Sequence, residues 1–334
     1  MPFVCLFYIP AAFQQGVSRM VSMLMALLLL SACSTHQAVD AVTGYGQSPG
    51  NVSTIRIDGL RPCSASADRS FHINSNEPVI VLAHGCLDSA ARFKSLAEVF
   101  AFQGQQAICF TYDDRDSLFT SASELTVALQ QLSEHLDDKR ITVIAHSQGG
   151  LIARKALTGQ QADQVWQGNP SEINLVTISA PFSGIAEASH CSSKTWRFLS
   201  LGLVDAICWM ISGDKWFEIT AASDFIQKPG ALLHQLEHHY KIDTDERNSC
   251  RSFGAGDRCL ESDYVFSLNE QQLGAVEQRT AVKRIVVQAG HTEIVGDFQT
   301  PPRKLIGILQ QQGIMKQTQP GQQQAMNSLL SRLY

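Results

Sequence analysis

Apolar side chains cluster in short runs along this chain, and the runs alternate with stretches of helical period. Val79–Ala83, Ala107–Tyr112, Ile141–Ala145, Leu175–Ile178 and Lys283–Val287 are five strand-length segments rich in branched residues. Helical spacing predicts helices over Ala90–Gln103, Ser121–Leu136, Gly150–Thr158 and Arg303–Gln311. Strands without a polar face, separated by helices, predict a parallel sheet covered on both sides, an α/β fold. Alternation over Val52–Asp58 predicts a first strand. Between Gly184 and Tyr240 the alternation breaks down, and apolar residues such as Trp196, Phe198, Trp209 and Trp216 accumulate. That segment, about 185–240, reads as a cap or lid over the sheet. The triplet His234, His238 and His239 reads as the solvated face of a helix-like stretch. After Gln310 the chain is glutamine-rich and reads as a loose tail (311–334), with room for one short helix at Ala325–Leu333.

With 334 residues, 44% of them hydrophobic, the chain supports one sizeable core. A net charge of -5 and the lack of any basic stripe give no reason to expect nucleic acid as a partner. No protein partner can be inferred.

The N-terminus carries a targeting pattern. Arg19 precedes the apolar run Met20–Leu30, which is short for a membrane span and suits the core of an export signal. Leu30-Ser31-Ala32-Cys33 resembles the lipobox of bacterial lipoproteins. The resemblance implies a signal over 1–32, lipidation of Cys33, and, with Ser34 behind it, sorting to the outer membrane. Several acyl chains anchor a protein stably where one does not. Residues 33–75 read as a tether and N-terminal extension. Export to an oxidising compartment allows disulfides. Of the seven cysteines left after Cys5 and Cys33, Cys250/Cys259 and Cys191/Cys208 are the sequence-local pairs. No C-x-x-C spacing occurs, and no metal is expected.

The candidate chemistry begins at Ala145-His146-Ser147-Gln148-Gly149, between a strand and a helix. A serine there, with small residues two positions to either side, is the pattern of a nucleophile elbow. The helix N-terminus favours negative charge developing beside it. Ala145 replaces the usual first glycine. His84-Gly85-Cys86-Leu87 follows the first long strand, so the N–H groups of Cys86 and Gln148 are the candidate oxyanion hole. His291 follows the last strand and is the candidate general base. His146 is expected to shape the turn, and His84 to orient the oxyanion loop. The third member should be a carboxylate between serine and histidine in chain order. Asp263 is the first choice, Asp257 the second, and Asp243 and Asp245 follow.

In that order, His84-Gly85, the Ser147 elbow, Ser179-Ala180-Pro181-Phe182-Ser183-Gly184, Ser262-Asp263 and Gly290-His291 resemble the α/β-hydrolase superfamily, within it the bacterial triacylglycerol lipases and esterases. Lys228-Pro229-Gly230-Ala231-Leu232-Leu233 resembles the segment closing the cap in many members. The resemblance implies a hydrolase domain over 76–310, an eight-stranded sheet, a Ser-His-Asp triad and no organic cofactor. Some members hold a structural calcium ion, and no site for one is evident here.

These readings combine into a lipid-anchored serine carboxylester hydrolase of the cell envelope. Its substrate is expected to be an acyl ester, lipid-like because of the apolar insertion. A phospholipase, thioesterase or acyltransferase on the same scaffold is the alternative within enzymes. A non-catalytic envelope lipoprotein is the alternative outside them.

Overall fold

A computed structural model describes residues 52–86, 88–159, 166, 171–185, 215–278, 282–297 and 299–334. All of them fall in one compact unit, 45–334. The signal and lipidation site at Cys33, the Cys191/Cys208 pair and most of the apolar insertion lie outside the described residues.

Seven strands form the central sheet: β2 (Leu60–Arg61), β4 (Val79–Ala83), β5 (Gln106–Phe110), β6 (Arg140–His146), β7 (Glu172–Ile178), β8 (Leu236–Asp245) and β11 (Val282–Gln288). Their spatial order is β11-β8-β7-β6-β4-β5-β2. Every neighbouring pair is parallel except β2, which runs antiparallel to β5 at the edge. The expected eight strands are therefore seven among the described residues. β1 (Val52–Ile55) is a strand as expected, but it pairs with β3 (Phe71–Asn74) in a separate ribbon. A second ribbon joins β9 (Cys250–Phe253) and β10 (Cys259–Ser262).

The period-2 geometry of the strands sends alternate side chains to opposite faces, and both faces are dry. Val79, Val81 and Ala83 of β4 join one core with Val143 and Leu175. That core is covered by α2 (Leu118–Glu134) and α3 (Gln148–Ala156). Ile80 and Leu82 face a second core with Ile144, Val176 and Ile178. It is covered by α1 (Lys94–Phe102), α4 (Arg303–Gln311) and α5 (Gln323–Leu333). The expected loose tail is thus corrected. Met326, Leu329 and Leu330 of α5 are buried in that second core, which fixes the helix to the body despite its glutamines.

The larger correction is β8. Its sequence, Leu-Glu-His-His-Tyr-Lys-Ile-Asp-Thr-Asp, reads as helix-like and solvated, yet it lies between β7 and β11. His239, Lys241, Asp243 and Thr244 are all buried. Buried charge persists only when it is paired. Lys241 Nζ contacts Asp243 at 2.5 Å and Glu277 at 3.1 Å, and Arg284 reaches Asp243 at 2.7 Å. Asp243 is thereby spent on ion pairs and is no candidate acid.

Two disulfides are present among the described residues. Cys250–Cys259 ties the β9–β10 ribbon, as the local pairing suggested, and Cys63–Cys109 fastens the chain after β2 to β5.

Candidate active site

Ser147 stands at the junction of β6 and α3 with φ 55° and ψ -127°. A non-glycine residue at positive φ stores roughly 1–3 kcal/mol of strain and persists only where its surroundings impose it. The surroundings here are tight backbone. The Ser147 N–H donates to the Ile178 carbonyl at 2.8 Å. A Cβ on Gly149 would lie 2.3 Å from the His84 carbonyl oxygen and 2.9 Å from that of Ala83. A Cβ on Gly150 would meet Ala180 at 2.7 Å. The small residues of the motif are therefore required by contact between the turn, β4 and β7. Ala145 is fully buried and accommodated.

His84-Gly85-Cys86 leaves the end of β4 beside this turn. A Cβ on Gly85 would sit 3.0 Å from Ser147 Cβ, so the loop passes directly against the serine. His84 stacks flat on Tyr112 at 4.4 Å, and the Tyr112 hydroxyl donates to the His84 carbonyl at 2.8 Å. His84 thus braces the loop. Burial lowers its pKa and keeps it neutral. Lys215 Nζ reaches Cys86 Sγ at 3.2 Å and Asp114 Oδ2 at 3.5 Å. Gln148 Nε2 donates to the Asp114 carbonyl at 3.4 Å. Cys86 and Gln148 therefore flank the serine.

His291 follows β11 and is buried against two rings. The His146 ring lies 4.6 Å away, and His146 Nε2 is 3.0 Å from the His291 carbonyl. Phe266 meets its edge at 4.9 Å. His146, next to Ser147 in the chain, therefore packs against His291. Burial first, then the neighbouring His291, holds its pKa well below the usual histidine range.

The acid is the point at which geometry departs from expectation. His291 Nδ1 is 3.0 Å from Glu246 Oε1, at the end of β8. Asp263 does not occupy that place. Its carboxylate accepts the N–H groups of Thr292 (3.0 Å) and Glu293 (2.9 Å), and its carbonyl accepts the His291 N–H at 3.0 Å. It holds the backbone of the histidine loop rather than the imidazole. Gly290 makes this approach possible, since a Cβ there would lie 2.1 Å from Asp263 Oδ2. Burial raises the Asp263 pKa against the pull of those N–H donors. Asp257 sits in the exposed turn between β9 and β10, and Asp245 pairs with Arg247.

Glu246 is almost entirely buried, and both oxygens are saturated. Oε2 accepts the N–H groups of Val265 (2.6 Å) and Phe266 (2.8 Å). Oε1 accepts from His291 and from the Ser179 hydroxyl (2.7 Å), with the Thr244 hydroxyl 2.9 Å away. Burial pushes its pKa up, but the hydrogen bond and charge of His291, with the two backbone donors, outweigh this and leave it below the usual glutamate value. Sequence reading missed Glu246 because the strand before it went unrecognised. The alternation of Tyr240, Ile242 and Thr244 was the available signal. Among the described residues, no group of three or more His, Cys, Asp or Glu side chains is arranged to hold a metal ion.

A mostly parallel sheet in this order, with a serine in a strained strand-to-helix turn and a histidine beside a carboxylate after the last strand, is the arrangement of the α/β-hydrolase fold. The chain adopts that fold. A family model described as palmitoyl protein thioesterase matches residues 78–234, from β4 through the Ser147 turn into the insertion. The lipase BlEst2 of Bacillus licheniformis, in its propeptide form, superposes with a TM-score of 0.51 at 13% identity, over 81% of this chain and 55% of that one. Esterase B from Lactobacillus rhamnosis, in an inhibited form, is similar at TM-score 0.48 and 12% identity, over 86% and 91% of the two chains. The Pyrococcus furiosus esterase Pf2001 is similar at TM-score 0.43 and 14% identity, over 81% and 97%. No curated protein matches the chain by sequence.

Proposed function

We propose that the chain hydrolyses acyl esters or thioesters through a triad of Ser147, His291 and Glu246. The observation that carries this reading is the 3.0 Å contact between His291 Nδ1 and Glu246 Oε1, beside a serine held at positive φ. Ionised Glu246 keeps the imidazole proton on Nδ1, so Nε2 is left to accept the serine proton. Ser147 Oγ then attacks the carbonyl carbon, and the oxyanion is held by the N–H groups of Cys86 and Gln148. His291 returns the proton to the leaving alcohol or thiol. Water repeats the sequence on the acyl-enzyme and releases the acid.

A lipid-like acyl chain is the substrate this reading favours. The apolar insertion of the sequence and the match to a palmitoyl protein thioesterase model support it. Hydrolysis of acyl groups carried on thiols is the second reading, and the same match favours it. Lipidation at Cys33 would hold the enzyme at the outer membrane beside such substrates, which the Leu30–Cys33 pattern supports.

The test compares hydrolysis of p-nitrophenyl octanoate and octanoyl-CoA by the wild type, E246Q and D263N. E246Q is expected to lose roughly 10³-fold or more in kcat, as removal of a triad acid does. D263N is expected to lose far less, since its backbone acceptor role survives in part. A D263N loss larger than that of E246Q would return the acid to Asp263. The ratio of ester to thioester turnover sets the substrate class.

A further inference from the structure

We propose that Ser179 is a positioning residue for the base, its hydroxyl completing the hydrogen-bond circuit that fixes the His291 tautomer. The inference rests on the triad reading above. Ser179 ends β7, entirely buried, with φ 47°. Few non-glycine residues adopt that region, and a serine there is held by its surroundings. Its N–H is anchored on the Ile242 carbonyl of β8 at 2.9 Å.

The strained backbone puts Ser179 Oγ 2.9 Å from His291 Nδ1, 2.7 Å from Glu246 Oε1 and 2.8 Å from Thr244 Oγ1. The hydroxyl has one proton and two lone pairs. One arrangement of the protons leaves the carboxylate with the most donors. Thr244 donates to Ser179 Oγ, and Ser179 donates to Glu246 Oε1. The Nδ1 proton of His291 is shared between Glu246 Oε1 and Ser179 Oγ. With its own proton committed to the carboxylate, Ser179 can only accept at Nδ1. The unproductive tautomer, bare at Nδ1 and protonated at Nε2, is satisfied only if Ser179 turns its proton to Nδ1, which takes both the Ser179 and the His291 donors away from the buried Glu246 carboxylate. The hydroxyl thus disfavours the tautomer that cannot receive a proton from Ser147. It also adds a donor to a carboxylate removed from water.

The test uses S179G, which relieves the strain because glycine accepts positive φ, and S179A, which keeps the strain. Both lack the hydroxyl. Each is expected to lose about tenfold to a hundredfold in kcat on p-nitrophenyl octanoate with KM within twofold, the loss of one hydrogen bond to a charged group. The melting temperature of S179G should stay within a few degrees of the wild type. The Nδ1 proton resonance of His291 should shift in both. E246Q is measured in parallel. If S179G turns over at the wild-type rate while E246Q is inactive, the inference about Ser179 is wrong and the triad stands. If E246Q is itself as active as the wild type, the triad reading fails and takes this inference with it.

Discussion

Gly149 and Ala145 flank the nucleophile at equal distance in sequence, yet the structure gives them unequal freedom. Gly149 is pinned by two backbone carbonyls of the β4 end, at 2.3 and 2.9 Å from any added Cβ. Backbone cannot swing aside as a side chain can. G149A is therefore expected either to fail to fold or to displace the His84–Cys86 loop, with activity on a short p-nitrophenyl ester falling by at least roughly a hundredfold. A145G, which restores the usual glycine, is expected to stay within about threefold of the wild type, because the methyl it removes is packed and not catalytic. Equal activity of G149A and the wild type would mean that the elbow is looser than drawn. The placing of Ser147, His291, Cys86 and Gln148 at the ends of strands was legible at this scale because the elbow motif depends on residue size and order, both of which a sequence prints. The carboxylate beside the imidazole was not, because a carboxylate's contacts are fixed by where it points. Asp263 and Glu246 both lie beside the histidine loop, and only the coordinates tell the backbone acceptor from the imidazole's partner.

Among the elements, the apolar strands β4, β6 and β7 and the helix α4 were readable directly, since their faces are buried in hydrocarbon. β8 was hidden for the opposite reason. Its buried face is built from His239, Lys241 and Asp243, which ion pairs and hydrogen bonds hold inside. Polar composition therefore imitated a solvated helix. This construction has a measurable cost. His239 lies beside Thr177 Oγ1 at 2.8 Å, and burial, with Arg154 and Lys241 nearby, lowers its pKa to about 3. The unfolded chain takes up a proton near pH 6.5 that the folded chain refuses. Stability is thus complete above that pH and is lost as pH falls below it toward 3. At pH 5 the loss from this one group is about 2 kcal/mol. H239Q keeps a hydrogen-bonding side chain without the titration. In urea unfolding between pH 7.5 and 5, the wild type should lose about 2 kcal/mol more than H239Q. Parallel curves would show that His239 is protonated in the fold.

At the scale of the whole molecule, two covalent ties reinforce the core unequally. Cys63–Cys109 closes 46 residues of sequence separation and Cys250–Cys259 closes 9. On the chain-entropy account the longer loop contributes about 4 kcal/mol and the shorter about 2.6 kcal/mol. The first also fastens β2, at the sheet edge, to β5. C63S/C109S should therefore lower the urea midpoint more than C250S/C259S. The reverse order would place the greater constraint in the β9–β10 ribbon. Sequence reading found the shorter tie and missed the longer one. Local spacing suggests a partner only when the pair is close in the chain, and Cys63 meets Cys109 through sheet topology. The α5 helix makes the same point. Its glutamines suggest a loose tail, while three apolar residues at helical spacing bury it.

The central claim is that Ser147 becomes an acyl carrier when His291, oriented by Glu246, removes its proton. The most direct measurement is intact-protein and peptide mass spectrometry after brief exposure to an alkyl fluorophosphonate, for the wild type, S147A and E246Q. The account predicts one adduct per chain, carried on the Ser147 peptide, absent in S147A and formed at least roughly a hundredfold more slowly in E246Q. An adduct at another residue, or labelling of E246Q at the wild-type rate, would contradict it.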